Sequence, residues 1–375
     1  MRLLFTSAGG SGHSEPLLPL ARAAVAAGHD VAFSCRPWMA PVLEAQGFRV
    51  FAAGPDEGLV PVRKPLAPVD PERAMRGVGP GFGLRIARSR ARDLAPVCAA
   101  WRPDAFVCDE TDFGAMVIAE RFGLPHATVE VCASGAFVRA EHVAPSLDVV
   151  RAENGLAPDS ALAAPARHLV LSPFPPSLRD PAAPRPATLR RFRAVPPAPT
   201  APRAPRARPL VCFTLGTVFN LECGDLFARV LAGLRTLPLD VVVTVGRDVD
   251  PAELGPQPPH VRVERWIAQD ELLRECAVAV SHGGSGSVLG ALAHGVSMLL
   301  LPLGADQPLN AARCAALGAA RVQDAATATP DAVRAAVAAL LHDAAYAAAA
   351  ARLRAEIAAL PDASQALHHI ERLLG

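Results

Sequence analysis

Apolar residues in the first third of the chain fall into short continuous runs, each followed by a stretch in which they recur at helical spacing. Leu3–Ser7 is the first run and predicts a strand. Pro16–Ala27 follows with Leu17, Leu20, Ala21, Ala24 and Val25 on one face, Gly28 closes that helix, and Asp30–Cys35 is the next strand. Asp104–Cys108 and His126–Val131 flank a predicted helix over Phe113–Phe122. Buried runs alternating with helices predict a parallel, doubly wound α/β sheet.

Between Pro173 and Pro209 the pattern breaks. Proline recurs at 173, 175, 176, 181, 184, 186, 196, 197, 199, 202, 205 and 209. Proline offers no N–H to a helix or a ladder, so this stretch reads as an extended linker. Alternation then restarts, with strands over Leu210–Leu215, Asp240–Val245, His260–Glu264, Ala277–Ser281 and Ser297–Leu301. Helices are predicted over Leu226–Arg235, Asp270–Cys276 and Ser285–His294, with a helical tail from Pro330. The expectation is α/β, two Rossmann-like parallel-sheet domains. Residues 1–178 form the first, 179–208 the linker and 209–375 the second, whose last helix is free to cross back. A ligand belongs between them, at the carboxyl ends of the strands.

Composition narrows the function. The chain has 375 residues and a net charge of +1, from 37 basic and 36 acidic side chains. Such balance leaves no basic surface for nucleic acid or an anionic membrane. Eight cysteines without a C-x-x-C pair read as buried thiols rather than disulfides or a zinc site. Neither a leader nor a membrane-spanning run is apparent, so a cytoplasmic protein without a membrane anchor is expected.

Two glycine loops carry the chemistry. Ser7-Ala8-Gly9-Gly10-Ser11-Gly12-His13 links the first strand to the first helix, but Glu15 occupies the third glycine position of a dinucleotide fingerprint. His13 stands where that loop enters the helix, placed to take a proton near neutral pH. A histidine there also serves as a cap or an exposed side chain. Asp109, just after a strand, is the best carboxylate to orient it, with Glu110 and Asp112 as substitutes. The second loop is Ser281-His282-Gly283-Gly284-Ser285-Gly286-Ser287, where backbone N–H groups at a helix start suit a diphosphate. Trp266 offers a face for a nucleobase, and Asp306-Gln307 offers polar groups for sugar hydroxyls. Asp248-Val249-Asp250 has the letters of a metal motif, but Pro251 makes it a turn, so no metal and no cofactor are expected.

In this order and spacing these motifs resemble the GT-B glycosyltransferases of the UDP-glycosyltransferase superfamily, nearest to bacterial enzymes that glycosylate antibiotics and other natural products. The resemblance spans essentially the whole chain. It implies His13 of Gly12-His13-x-x-Pro16 as the catalytic base and Asp109 as its partner. It further implies a nucleotide-sugar donor held by Gly12, Thr217, Trp266, Gln269, His282, Gly284, Ser285, Gly286, Ser287, Asp306 and Gln307. Three positions depart from the family pattern: Ala268 replaces a proline, Gly290 a ribose-binding glutamate, and Ser297 ends a turn that commonly has proline. Loss of the carboxylate at 290 is compatible with a deoxythymidine donor. The implied reaction is inverting transfer to a hydroxyl of a small hydrophobic acceptor. Phe82, Phe113 and Phe137, with Met116, are candidates to line the acceptor site, and Gly54–Arg92 reads as glycine-rich and mobile. A homodimer is compatible with all of this. The alternatives are a degenerate, non-catalytic activator of the same fold, or a transferase acting on a lipid-linked precursor.

Overall fold

The computed structural model describes residues 1–56, 63–195 and 206–375. Its first half forms around strands β1 (Arg2–Thr6), β2 (Asp30–Cys35), β3 (Arg49–Ala52), β4 (Ala105–Asp109), β5 (His126–Val129), β6 (Leu169–Ser172) and β7 (Leu189–Arg191). They pair in the order β3-β2-β1-β4-β5-β6-β7, every pair parallel. The second half has β8 (Leu210–Thr214), β9 (Asp240–Thr244), β10 (Val261–Glu264), β11 (Cys276–Ser281), β12 (Ser297–Leu300) and β13 (Ala320–Val322). Their order is β10-β9-β8-β11-β12-β13, again all parallel. The apolar runs are buried because helices cover both faces of each sheet. Leu3 and Phe5 face one cluster in the first half and Leu4 the other.

In each sheet the strand order reverses once, between β1 and β4 and between β8 and β11. At such a point neighbouring crossovers leave in opposite directions and open a crevice at the strand ends.

Two features differ from the sequence expectation. The glycine-rich stretch is helical, with Pro71–Val78, a π-helical segment Gly79–Ile86 and then Ala87–Trp101. One of its glycines serves close packing, while Gly77 and Gly81 face open space. A Cβ at Gly79 would lie 2.1 Å from the carbonyl oxygen of His142 on the facing helix Ala140–Glu153. Second, β7 falls inside the proline-rich stretch and extends the first sheet, because its Leu189 is buried against the core while Arg190 points out. Prolines 196, 197, 199, 202 and 205 lie outside the described residues. The tail forms three helices, as its pattern suggests, and the last, Ala363–Glu371, packs on the first half. Ala366, Leu367 and Ile370 are buried beside Leu17, Leu20 and Ala24. The halves also meet through a backbone bond from Lys64 N to Leu221 O, and through the ion pairs Lys64–Glu222 and Arg63–Glu253.

Candidate active site

β1 ends at Thr6, and the chain turns into the short helical segment Ser11–Ser14 that carries His13. β4 runs beside it with Cys108 level with Thr6, so the next residue, Asp109, rises at the same rim. The strand reversal therefore brings together two residues far apart in the chain. His13 Nδ1 lies 3.4 Å from Asp109 Oδ1 and 3.1 Å from Thr111 Oγ1. The Thr111 hydroxyl donates to Asp109 Oδ1 at 2.6 Å. Asp109 also accepts from the backbone N–H groups of Ala8 and Thr111, at 2.6 and 2.7 Å. With Nδ1 as donor, the imidazole keeps Nε2 free as a base.

Thr111 is a site residue that the motifs do not name. Its signal is the D-x-T spacing, in which an aspartate accepts from the N–H two residues on and folds the loop back over itself.

The electrostatics suit a proton acceptor. Burial lowers the His13 pKa, but the charge and hydrogen bond of Asp109, with a smaller contribution from Asp306, outweigh it, and the net shift is upward. Burial likewise raises Asp109, and His13, Thr111 and the Ala8 N–H more than reverse that, holding it ionised below the usual carboxylate range. The Phe82 ring stacks on the imidazole, with centroids 5.6 Å apart and planes 17° from parallel.

Glu110 and Asp112 do not substitute for Asp109. Burial and the neighbouring Glu130 push the Glu110 carboxyl up to about 8, and it accepts from Cys132 N. Asp112 caps the helix Phe113–Arg121 and is held by Arg90.

In the second half, β8 and β11 end with Thr214 level with Ser281. The loop after β8 and the loop carrying His282 are thus neighbours. His282 is buried, which drives its pKa down to about 4, so the ring is neutral near pH 7 and acts as a dipolar donor. Among the described residues its Nδ1 has no partner. Gly216 makes room for it. The residue has φ +75°, and a Cβ there would sit 2.7 Å from His282 Cε1. Gly284, Gly286 and Ser287 lie at the start of the helix Ser285–Ala293, which no side chain of its N-cap residue caps. Gly12, Thr217 and Gln269 are exposed, and Trp266 is 60% exposed, an unusual state for so large an apolar ring.

Several site residues have other employment. The Ser285 hydroxyl donates to Asp306 Oδ2 at 2.6 Å and accepts from Ala133 N in the first half at 2.7 Å. It joins the halves and is not available as a phosphate donor. Asn310 completes this group, donating to Asp306 Oδ2 at 2.7 Å. Gln307 is 2% exposed, and its amide oxygen accepts from Leu303 N and Gly304 N, which leaves only its NH2 for a ligand. Phe113 and Met116 are buried in the apolar cluster of the first half and line no surface, whereas Phe82 and Phe137 are partly exposed. At Gly290, a Cβ would meet the side-chain ends of Leu273 and Gln269 at 3.3 and 3.6 Å, a close but not closed position. Asp250 caps the turn Pro251–Leu254 by accepting from Ala252 N, a structural use of the acidic triplet.

Comparison with known proteins identifies the family. Residues 228–373 match the C-terminal domain model described as erythromycin biosynthesis protein CIII-like. The chain is 31% identical over 337 residues to L-demethylnoviosyl transferase of Streptomyces niveus, covering 85% of this chain and 84% of that one. It is 31% identical over 395 residues to the elloramycin glycosyltransferase ElmGT of Streptomyces olivaceus, covering 98% and 97%. Among solved structures, the glycosyltransferase VinC in complex with dTDP superposes with a TM-score of 0.79 at 25% identity, covering 100% and 99%. The chain belongs to the GT-B glycosyltransferases of antibiotic and natural-product biosynthesis, and is a nucleotide-sugar-dependent enzyme of that family. Among the described residues, no helix is long and apolar enough to cross a membrane.

Proposed function

We propose that this enzyme moves a sugar from a dTDP- or UDP-linked donor to a hydroxyl of a small hydrophobic natural product, with inversion. The observation that supports it most is the His13 imidazole, held through Nδ1 by a buried, ionised Asp109, with Nε2 free at the crevice. Nε2 takes the acceptor hydroxyl proton as the oxygen bonds to the anomeric carbon. The bond from that carbon to the diphosphate breaks on the opposite face, and the leaving group departs with the electron pair. An α-linked donor then gives a β-linked product. The charge developing on the diphosphate meets the start of the helix Ser285–Ala293, neutral His282 and Ser287, an arrangement that supplies stabilisation without a divalent ion.

Resemblance to a transferase solved with dTDP favours a thymidine donor, as does the absence of a carboxylate at Gly290. A homodimer and a cytoplasmic setting are part of the same reading. The test is a panel of dTDP- and UDP-sugars, read by thermal protection and by turnover with aromatic and polyketide acceptors, with EDTA present. Protection by one nucleotide class and transfer in EDTA support the proposal. Protection without transfer or hydrolysis would favour a non-catalytic partner.

Two further outcomes follow. Trp266→Ala should weaken dTDP binding by roughly ten- to a hundredfold, the loss of one stacked base, about 1–3 kcal/mol, measured by titration calorimetry. Thr111→Val should lower kcat by roughly tenfold with little change in KM, because the bridging hydroxyl fixes the imidazole. Thr111→Ser should restore most of the rate, and equal activity of all three proteins would remove Thr111 from the site.

A further inference from the structure

A pocket of about 260 Å³ lies away from the donor loop, where the first half meets the helix Gln307–Ala316. Four arginines line it: Arg179, Arg185, Arg191 on β7, and Arg313. Arg313 stands about 9 Å along its helix from Gln307, and its Nε donates to Ser177 O, so the pocket straddles the two halves.

The cations outnumber the anions that face them. Arg179 is satisfied, by Glu130 at 2.6 Å and by Pro184 O. The carboxylates nearby are occupied as well. Asp180, on the wall, accepts from Ala182 N, and Glu356 binds the hydroxyl of Ser177. Among the described residues, Arg185, Arg191 and Arg313 make no ion pair. Arg191 is the most telling, because its Nε is buried without a partner. Burial and then the nearby charge of Arg185 lower its pKa, with Arg179 adding to the effect, while Glu130 and Glu356 offset only part of it. Guanidinium groups gathered around a cavity with less counter-charge than their own are costly unless an anion occupies it.

We propose that this pocket binds a small tetrahedral oxyanion of the phosphate class, bridging Arg191 of the first half and Arg313 of the second. Bound there, it would clamp the relative position of the halves from the side away from the reacting groups. This inference is independent of the catalytic roles given to His13 and Asp109.

The test is thermal unfolding of the full chain in inorganic phosphate against chloride at matched ionic strength, with saturating dTDP so that phosphate cannot act through the donor site. Phosphate also stabilises proteins weakly by exclusion from their surface, without saturating. A saturable rise in midpoint is expected for the wild type, with affinity weakened at least tenfold in Arg191→Gln and in Arg313→Gln. Arg185→Gln, on an exposed loop, is a third variant that should fold normally and weaken binding less. The shift produced by dTDP itself should be the same in all four proteins. A non-saturating rise, or the same saturable rise in every variant, would overturn the proposal. Loss of the dTDP shift in the wild type would count against the donor site and leave the phosphate result to be read by itself.

Discussion

Replacing His13 with alanine should lower kcat by roughly a hundredfold to ten-thousandfold, the range for removal of a general base, while leaving dTDP binding unchanged. The split is expected because the imidazole belongs to the first half and the nucleotide loops to the second. The pH dependence gives a second reading of the same residue. The base must be unprotonated, so kcat/KM should rise with pH along an acid limb set by His13. The upward shift caused by Asp109 places that limb above the ordinary histidine value of 6.5. Asp109→Asn removes the anion that stabilises the imidazolium, so the limb should move to lower pH while the plateau falls. A limb that stays in place in Asp109→Asn, or a His13→Ala protein with near wild-type kcat, would end the base assignment. The same shift has a stability consequence. The protonated His13–Asp109 pair stabilises the fold fully below about 6.5, and that contribution fades as pH rises through the folded value.

Arg90→Met should produce the largest loss of stability, about 3–5 kcal/mol, because it strands a buried carboxylate. Arg90 and Asp112 are both fully buried, and the guanidinium spans both carboxylate oxygens at 2.7 and 2.6 Å. It also donates to Ala53 O and Ser34 O, fastening the ends of β2 and β3 to the loop that follows β4. That loop carries Asp109 and Thr111, so a loosened first half should also lose activity. The measurement is the denaturant midpoint of the first transition. The double variant Arg90→Met/Asp112→Leu should recover part of the loss, since it buries no unpaired charge. A single variant costing less than about 1 kcal/mol would show that water reaches the site and solvates the carboxylate.

The sequence made the central strands legible and the edges much less so. Strands such as Leu210–Thr214 and Cys276–Ser281 are covered on both faces and read as unbroken apolar runs. At the edges, Leu189–Arg191 and Ala320–Val322 bury one residue in three, and a single buried side chain carries no period. Leu169–Ser172 is fully buried, but its run abuts the prolines that break the pattern. The glycine-rich segment misleads for a different reason. Glycine marks close approach as well as freedom, and only the facing helix reveals which applies.

The site divides in the same way. His13, Asp109 and His282 were legible because loop chemistry and strand order place them. Ser285 and Gln307 share the same motif, but their side chains are consumed by Asp306, Ala133 and the Leu303–Gly304 backbone. Such competition among polar groups depends on three-dimensional neighbours and leaves no mark on spacing.

The helix Ala363–Glu371 sets an order of events during synthesis. The first half is translated first, yet the apolar surface around Leu17, Leu20 and Ala24 is covered by residues made last. At ordinary elongation rates that surface waits roughly ten to thirty seconds after β7 is made before its cover exists. Through that interval the nascent first half carries an exposed apolar patch on the ribosome, where a chaperone would find it. The first half is thus finished only after the second has been translated.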